Sequence, residues 1–172
     1  MEAAIIFEPH IDAACCDLLV EVVRSTGSAR LKAAGFSMLP VIWPGDVLTV
    51  CFQSHDELQP GQIVLFRRNG RLTAHRIVAA SPDHLVTRGD CHPSCDPPVQ
   101  RDEVVGQIAA ACRNGLPVRL QPSLLQRAAA WMMRRSEWYT RQVIRLHAAV
   151  LRLRTACGVR YAGEKISARQ DS

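Results

Sequence analysis

Four side chains between positions 37 and 96 have the types and spacing to do chemistry: Ser37, His75, Asp90 and Asp96. A serine hydroxyl is a weak nucleophile until a neighbouring base takes its proton. Histidine, with an ordinary pKa near ~6.5, can act as that base with little tuning. It gains from a carboxylate that fixes its tautomer and stabilises the imidazolium. Ser37 lies in Gly35-Phe36-Ser37-Met38-Leu39-Pro40, followed by Pro44-Gly45-Asp46-Val47. Pro40 pushes Leu39 towards an extended conformation, so the hydroxyl sits on a loop and can point into a cleft. His75 lies in the β-branched run His75-Arg76-Ile77-Val78. Asp90 closes Thr87-Arg88-Gly89-Asp90, and Asp96 precedes Pro97 in Cys91-His92-Pro93-Ser94-Cys95-Asp96-Pro97-Pro98-Val99. Taken singly, each piece has a plain structural alternative: a surface-loop serine, a histidine satisfied within a sheet, aspartates of ordinary turns.

The elements that must position these residues are short strands. β-branched runs at 47–52, 62–66, 73–79, 84–87 and 104–110 are each bounded by Gly, Pro, Asp or Asn. Asn69-Gly70 between two such runs signals a hairpin, because both central positions of that turn want φ > 0. Ahead of the strands, Ala13, Cys16, Leu19, Val20 and Val23 mark one face of a helix over Asp12–Arg24. Asp12 is its N-cap candidate and Thr26-Gly27 its stop. After Pro117 and Pro122, apolar residues recur every three or four positions from Leu125 through Ala128 and Met132 to Leu153. Arg127, Arg134, Arg141, Arg145 and Arg152 lie largely off that line, which gives one long amphipathic helix or two shorter ones. The expected organisation is a β domain with its N-terminal helix over 1–118, a basic helical extension over 119–162 and a polar tail over 163–172. By content this is α+β, mainly β.

Composition narrows the class. The 172 residues are 48% hydrophobic and 22% charged, which is globular and excludes disorder or a fibrous repeat. The longest run without a charged residue is Ala33–Gly45, which contains two prolines and is shorter than the ~20 residues a membrane span needs. The start Met1-Glu2, with Glu8 and Asp12 following, lacks the pattern of a secretory signal. Seven cysteines, an odd number, then read as reduced cytosolic thiols. The net charge of +5 is uneven: residues 1–118 carry −3 and residues 119–172 carry +8.

The order Ser-Met-x-Pro, Gly-Asp, strand, His-Arg-Ile-Val, Arg-Gly-Asp and Asp-Pro-x-Val resembles the signal peptidase I superfamily, in its Ser/His form. It is also similar to small soluble relatives of that superfamily. The resemblance spans roughly Leu31 to Ile108. It implies a signal-peptidase-like or repressor-protease-like β fold and serine endopeptidase activity through an acyl-enzyme. It implies Ser37 as nucleophile, His75 as general base, Asp96 as the acid orienting the histidine, and Asp90 as support for the same loop. Backbone N–H groups around Ser37 would hold the oxyanion. Most bacterial members use a lysine base, which must be desolvated to act; a histidine in its place asks for an aspartate. Three positions depart from the pattern: Gly35 lacks the hydroxyl some relatives carry there, Gln62 replaces a common Asp, and Cys91 a common Asn.

The resemblance implies a leader or precursor peptide as substrate and no metal or organic cofactor. Cys91-His92-x-x-Cys95 lacks the closely spaced second pair of a structural zinc site, Cys112 following alone, and reads as ordinary loop. The basic C-terminal helix packs on the β domain, lies on an anionic membrane surface, or binds nucleic acid; the last lacks any accompanying motif. The expected location is cytoplasmic, with a peripheral contact at the inner membrane surface if the helix takes its second reading. Two other functions stay open: a self-cleaving repressor-like regulator, which asks for a lysine base and a preceding DNA-binding domain, and a non-catalytic peptide-binding module of the same fold.

Overall fold

The computed structural model describes residues 6–7 and 13–135, together with 142, 145, 146 and 149. The chain separates into two units, residues 1–135 and 136–172. The Asp12 cap, the extension beyond 135 and the tail from 163 lie outside the described residues.

The first unit is a mainly antiparallel sheet with a helix at either end, as the sequence predicts. In chain order its elements are β1 (Ile6–Phe7), α1 (Ala13–Thr26), β2 (Ser28–Lys32), β3 (Val47–Cys51), β4 (Ile63–Arg68), β5 (Arg71–Ala80), β6 (His84–Arg88), β7 (Val99–Gln100), β8 (Val104–Arg113), β9 (Leu116–Val118) and α2 (Leu124–Arg135). The strands lie in the order β1-β2-β3-β8-β4-β5-β6-β7, with β9 paired to β8. The long strand β8 is therefore the seam. Its far half pairs with β3 and its near half with β4, Gln107 standing opposite both Cys51 and Val64. Gly106 permits that closeness, since a Cβ there would lie 2.5 Å from the carbonyl oxygen of Cys51.

Each face of the sheet carries a buried cluster. Leu19 and Val23 of α1 pack with Leu48, Val50, Ile63, Leu65 and Ile108 in one core, while Val64, Phe66, Ile77, Leu85 and Val99 form a second. Because β4 feeds both, its sequence Ile63-Val64-Leu65-Phe66 is an unbroken apolar run rather than an alternating one. Asn69 and Gly70 adopt φ of 52° and 70°, and Asn114 and Gly115 repeat the pattern at 54° and 80°. The second hairpin makes Leu116–Val118 a strand, with Pro117 inside it at the sheet's edge.

The twelve-residue helix α2 turns a different face inward from the one its periodicity suggests. Ala130 and Met133 are buried, whereas Leu125 is 84% exposed and Met132 44%. The physical reason is local. The small Ala130 lets the helix approach, and Arg134, on the packed side, donates through Nε to the carbonyl oxygen of Asp90 at 2.9 Å. Arg134 is thus a structural contact instead of a solvated charge. No helix among the described residues is long and apolar enough to cross a membrane.

Candidate functional site

Ser37 stands on the loop that joins β2 to β3. The neck of that loop is closed by two backbone bonds, Ala33 N–H to Asp46 O at 2.8 Å and Gly45 N–H to Ala33 O at 2.7 Å. Met38 and Leu39, next to the serine, are buried and fix the turn in the core. The Leu39–Pro40 peptide is cis. The carboxylate of Asp46, itself buried, accepts the Trp43 N–H at 2.8 Å and two bonds from Arg113, which also donates to Val41 O. The loop is thereby tied to the end of β8.

His75 occupies the middle of β5, opposite Val64, with its ring buried and edge-on to Phe66 at 6.1 Å between centroids. Its Nδ1 meets Oδ2 of Asp96 at 2.6 Å. With a carboxylate as acceptor, Nδ1 carries the proton and Nε2 keeps its lone pair. The same Asp96 oxygen accepts the hydroxyl of Thr87 at 2.7 Å, and the Asp96 N–H donates to Thr87 O at 2.8 Å. Nε2 of His75 and the serine both lie against Gly89. A Cβ built on Gly89 would lie 3.2 Å from His75 Nε2, 3.1 Å from Ser37 Cβ and 2.7 Å from Ser37 O. Serine and imidazole therefore border one gap that only a glycine leaves open.

Asp90 does not join them. Its two carboxylate oxygens take bonds of 2.8 and 2.7 Å from Arg76, which also donates to Gly61 O and Leu120 O. Of the two candidate aspartates, Asp96 contacts the imidazole and Asp90 braces the turn behind it. Cys91, at the position following Asp90, bonds back to the serine loop: its N–H reaches Ser37 O at 3.1 Å, and its Sγ lies 3.2 Å from Phe36 O. Burial pushes the Cys91 thiol up, which keeps it a neutral donor.

Several contributors lie outside the sequence expectation. Thr87 has one legible signal: it shares the inward face of β6 with Leu85, where a polar side chain needs a partner. Arg68, at the end of β4, makes a two-bonded pair with Glu103 at 2.7 and 2.6 Å and donates to the carbonyls of Pro97 and Pro98. It therefore grips the segment that carries Asp96. The Arg68 guanidinium holds the Glu103 carboxyl below its usual range, and Glu103 raises Arg68 in return. His92 stands edge-on to His75, 5.5 Å between centroids; it is exposed on its loop, yet partial desolvation, and then the neighbouring His75, push its pKa below the ordinary histidine value. Among the described residues, His75, His92 and Asp96 are also the group close enough to hold a metal ion.

Beside Ser37 runs a groove of about 500 Å³ with an apolar floor that includes Leu31, Ile42, Leu48 and Leu65. One rim is the segment 32–35 and the other is Arg71–Ala74 at the start of β5. β5 pairs with β6 only from Arg76 onward, so the outer edge of Arg71–Ala74 carries no strand among the described residues. The arrangement has the parts for acyl transfer: a hydroxyl, a base with a free lone pair, an orienting carboxylate and a bed for an extended chain.

A search of curated proteins finds no significant match to the chain. Residues 4–86 match the profile of the Peptidase S24-like family, a span that holds Ser37 and His75 and stops before Asp90 and Asp96. Over that span the chain is similar to the Peptidase S24-like family, of the superfamily that joins the repressor-type proteases to signal peptidase I.

Proposed function

We propose that this protein is a serine endopeptidase that cleaves a leader or precursor peptide through an acyl-enzyme on Ser37. The observation that carries the reading is the line from Asp96 through His75 to the Gly89 gap beside Ser37. His75 Nε2 takes the Ser37 proton as the hydroxyl oxygen attacks the scissile carbonyl carbon. Asp96 holds the ring in the required tautomer and stabilises the imidazolium. The imidazolium then gives its proton to the leaving amine, and water, deprotonated by the same base, releases the acyl group. Backbone N–H groups of the turn at Ser37 would receive the oxyanion. The substrate would lie extended, pairing its main chain with the open edge at Arg71–Ala74 and placing alternate side chains on the apolar floor.

The test is direct. Purified protein and Ser37→Ala are incubated with a leader-peptide library, and intact protein is weighed after treatment with an acylating inhibitor. The reading expects cleavage and a single covalent adduct, both lost with Ser37→Ala. Equal processing by the two proteins, or no processing and no adduct, defeats it. The family match keeps a second reading, a self-cleaving regulator. It expects pure protein at rising pH to cut its own chain, for instance at the exposed Ala34-Gly35 bond beside the groove.

A further inference from the structure

The loop that delivers Asp96 also delivers His92, a side chain for which the proposed hydrolysis has no use. Its ring stands edge-on to His75, their planes 76° apart. One donor atom from each of His75, His92 and Asp96 lies within 4.8 Å of the other two. Both side-chain bonds to Asp96 fall on Oδ2, which leaves Oδ1 to a ligand.

We propose that His75, His92 and Asp96 bind a divalent transition-metal ion, zinc above all, and that the bound ion stops the enzyme. Two imidazoles and one carboxylate are a donor set that suits zinc, copper or nickel and disfavours magnesium and calcium, which want oxygen ligands. Zinc holds nitrogen at about 2.0–2.1 Å and carboxylate oxygen at about 2.0–2.2 Å, so donors around a tetrahedral ion end roughly 3.3 Å apart. The spread of 4.8 Å is wider. The buried His75 ring is fixed in the sheet, whereas His92 is exposed on its loop and is the member able to close the distance. Three protein ligands leave the fourth position to water. The ion would replace the proton between His75 Nδ1 and Asp96, which leaves the remaining ring proton on Nε2 and no lone pair to accept the serine proton, so inhibition falls on proton transfer rather than on peptide binding. Metal binding stands on this geometry alone; the loss of activity rests on the proposed function.

The experiment separates the two. Ser37→Ala protein is titrated with cobalt(II) as a spectroscopic stand-in and then with zinc, and the zinc affinity is measured by calorimetry. The proposal expects a one-to-one complex with the visible bands of tetrahedral cobalt and no thiolate charge-transfer band. Adding His92→Ala is expected to weaken zinc by about tenfold or more, since loss of even an outer partner of a metal ligand costs 10–100-fold. Unchanged affinity in the His92→Ala protein, a thiolate band, or no binding at millimolar zinc overturns the site. In the otherwise wild-type protein, zinc should stop peptide cleavage over the concentrations at which it binds, with His92→Ala keeping its basal rate and losing that sensitivity. Cleavage that continues in saturating zinc overturns the inhibition. If zinc binds but neither protein ever cuts a peptide, the metal site stands and the peptidase reading falls.

Discussion

Thr87 gives its hydroxyl to Asp96 at 2.7 Å, on the carboxylate oxygen that also meets His75. One oxygen therefore serves both the residue that holds the acid still and the residue the acid orients. Removing Thr87 should leave the carboxylate in reach of the ring but less well aimed. Thr87→Val, which keeps the buried shape, is expected to lower kcat/KM by about tenfold and stability by about 1 kcal/mol. Peptide kinetics and denaturant unfolding check the two numbers.

Asp96→Asn tests the acid itself. The amide can donate to Nδ1 where the carboxylate accepted, which puts the proton on Nε2 and removes the lone pair facing Ser37. A fall in kcat of about 10³-fold or more, with peptide KM little changed, is expected from the wrong tautomer. A small effect would show that Asp96 has no part in orienting His75.

Gly89→Ala is the sharpest steric probe of the site. Gly89 has no positive φ, so the methyl group is disfavoured by its neighbours rather than by the backbone. It would press on Ser37 O at 2.7 Å and fill the space between Ser37 and His75 Nε2. Peptide cleavage should fall below about one hundredth of the wild-type rate, and adduct formation with an acylating inhibitor should fall in parallel. Gly35→Ala, whose Cβ meets nothing within 4 Å, is the matched control and should retain most activity.

Glu103 makes the stability depend on pH in a definable direction. Arg68 holds its folded carboxyl below the unfolded value near ~4.3. The pair's contribution is therefore complete above that value and is lost as pH falls through the lower, folded one. The Tm gap between wild type and Glu103→Gln should be widest at neutral pH and should close below about pH 4. A gap that is constant with pH would show that the carboxylate charge adds nothing.

Arg113 protects a buried charge. Asp46 is almost wholly inaccessible, and Arg113 makes two bonds to its carboxylate. Arg113→Leu leaves that carboxylate without its cation, at a cost of about 2–4 kcal/mol, and lowers Tm by roughly 6–12 °C. Because Arg113 also holds Val41 O on the serine loop, activity should fall further than the unfolded fraction accounts for.

What was legible in the sequence was local. The strand runs, the Asn69-Gly70 hairpin and the stop at Gly27 depend on neighbours a few positions away, and these elements form where the residues predict. Asn114-Gly115 carries the same signal as Asn69-Gly70, and Leu116–Val118 was hidden only because Pro117 reads as a breaker until one sees that it sits at an edge. The brace around the site was not legible, since Arg68 meets Pro97, Arg76 meets Asp90 and Thr87 meets Asp96 through the packing of separate loops. The inward face of α2 escapes its apolar periodicity for a related reason. Periodicity counts apolar residues, while docking of this helix depends on one alanine small enough to let it close and one arginine with a carbonyl to meet.

The position of β8 bears on when this molecule can act. Ser37 hangs from the β2–β3 half of the sheet and His75 stands in the β4–β5 half, and among the described strands only β8 is laddered to both. A nascent chain that has passed residue 80 holds hydroxyl and imidazole but no strand to bring them side by side. The ladder that joins the two halves forms only with residues 104–113, so the hydrogen-bonded frame that sets these groups side by side is completed late in the synthesis of the domain.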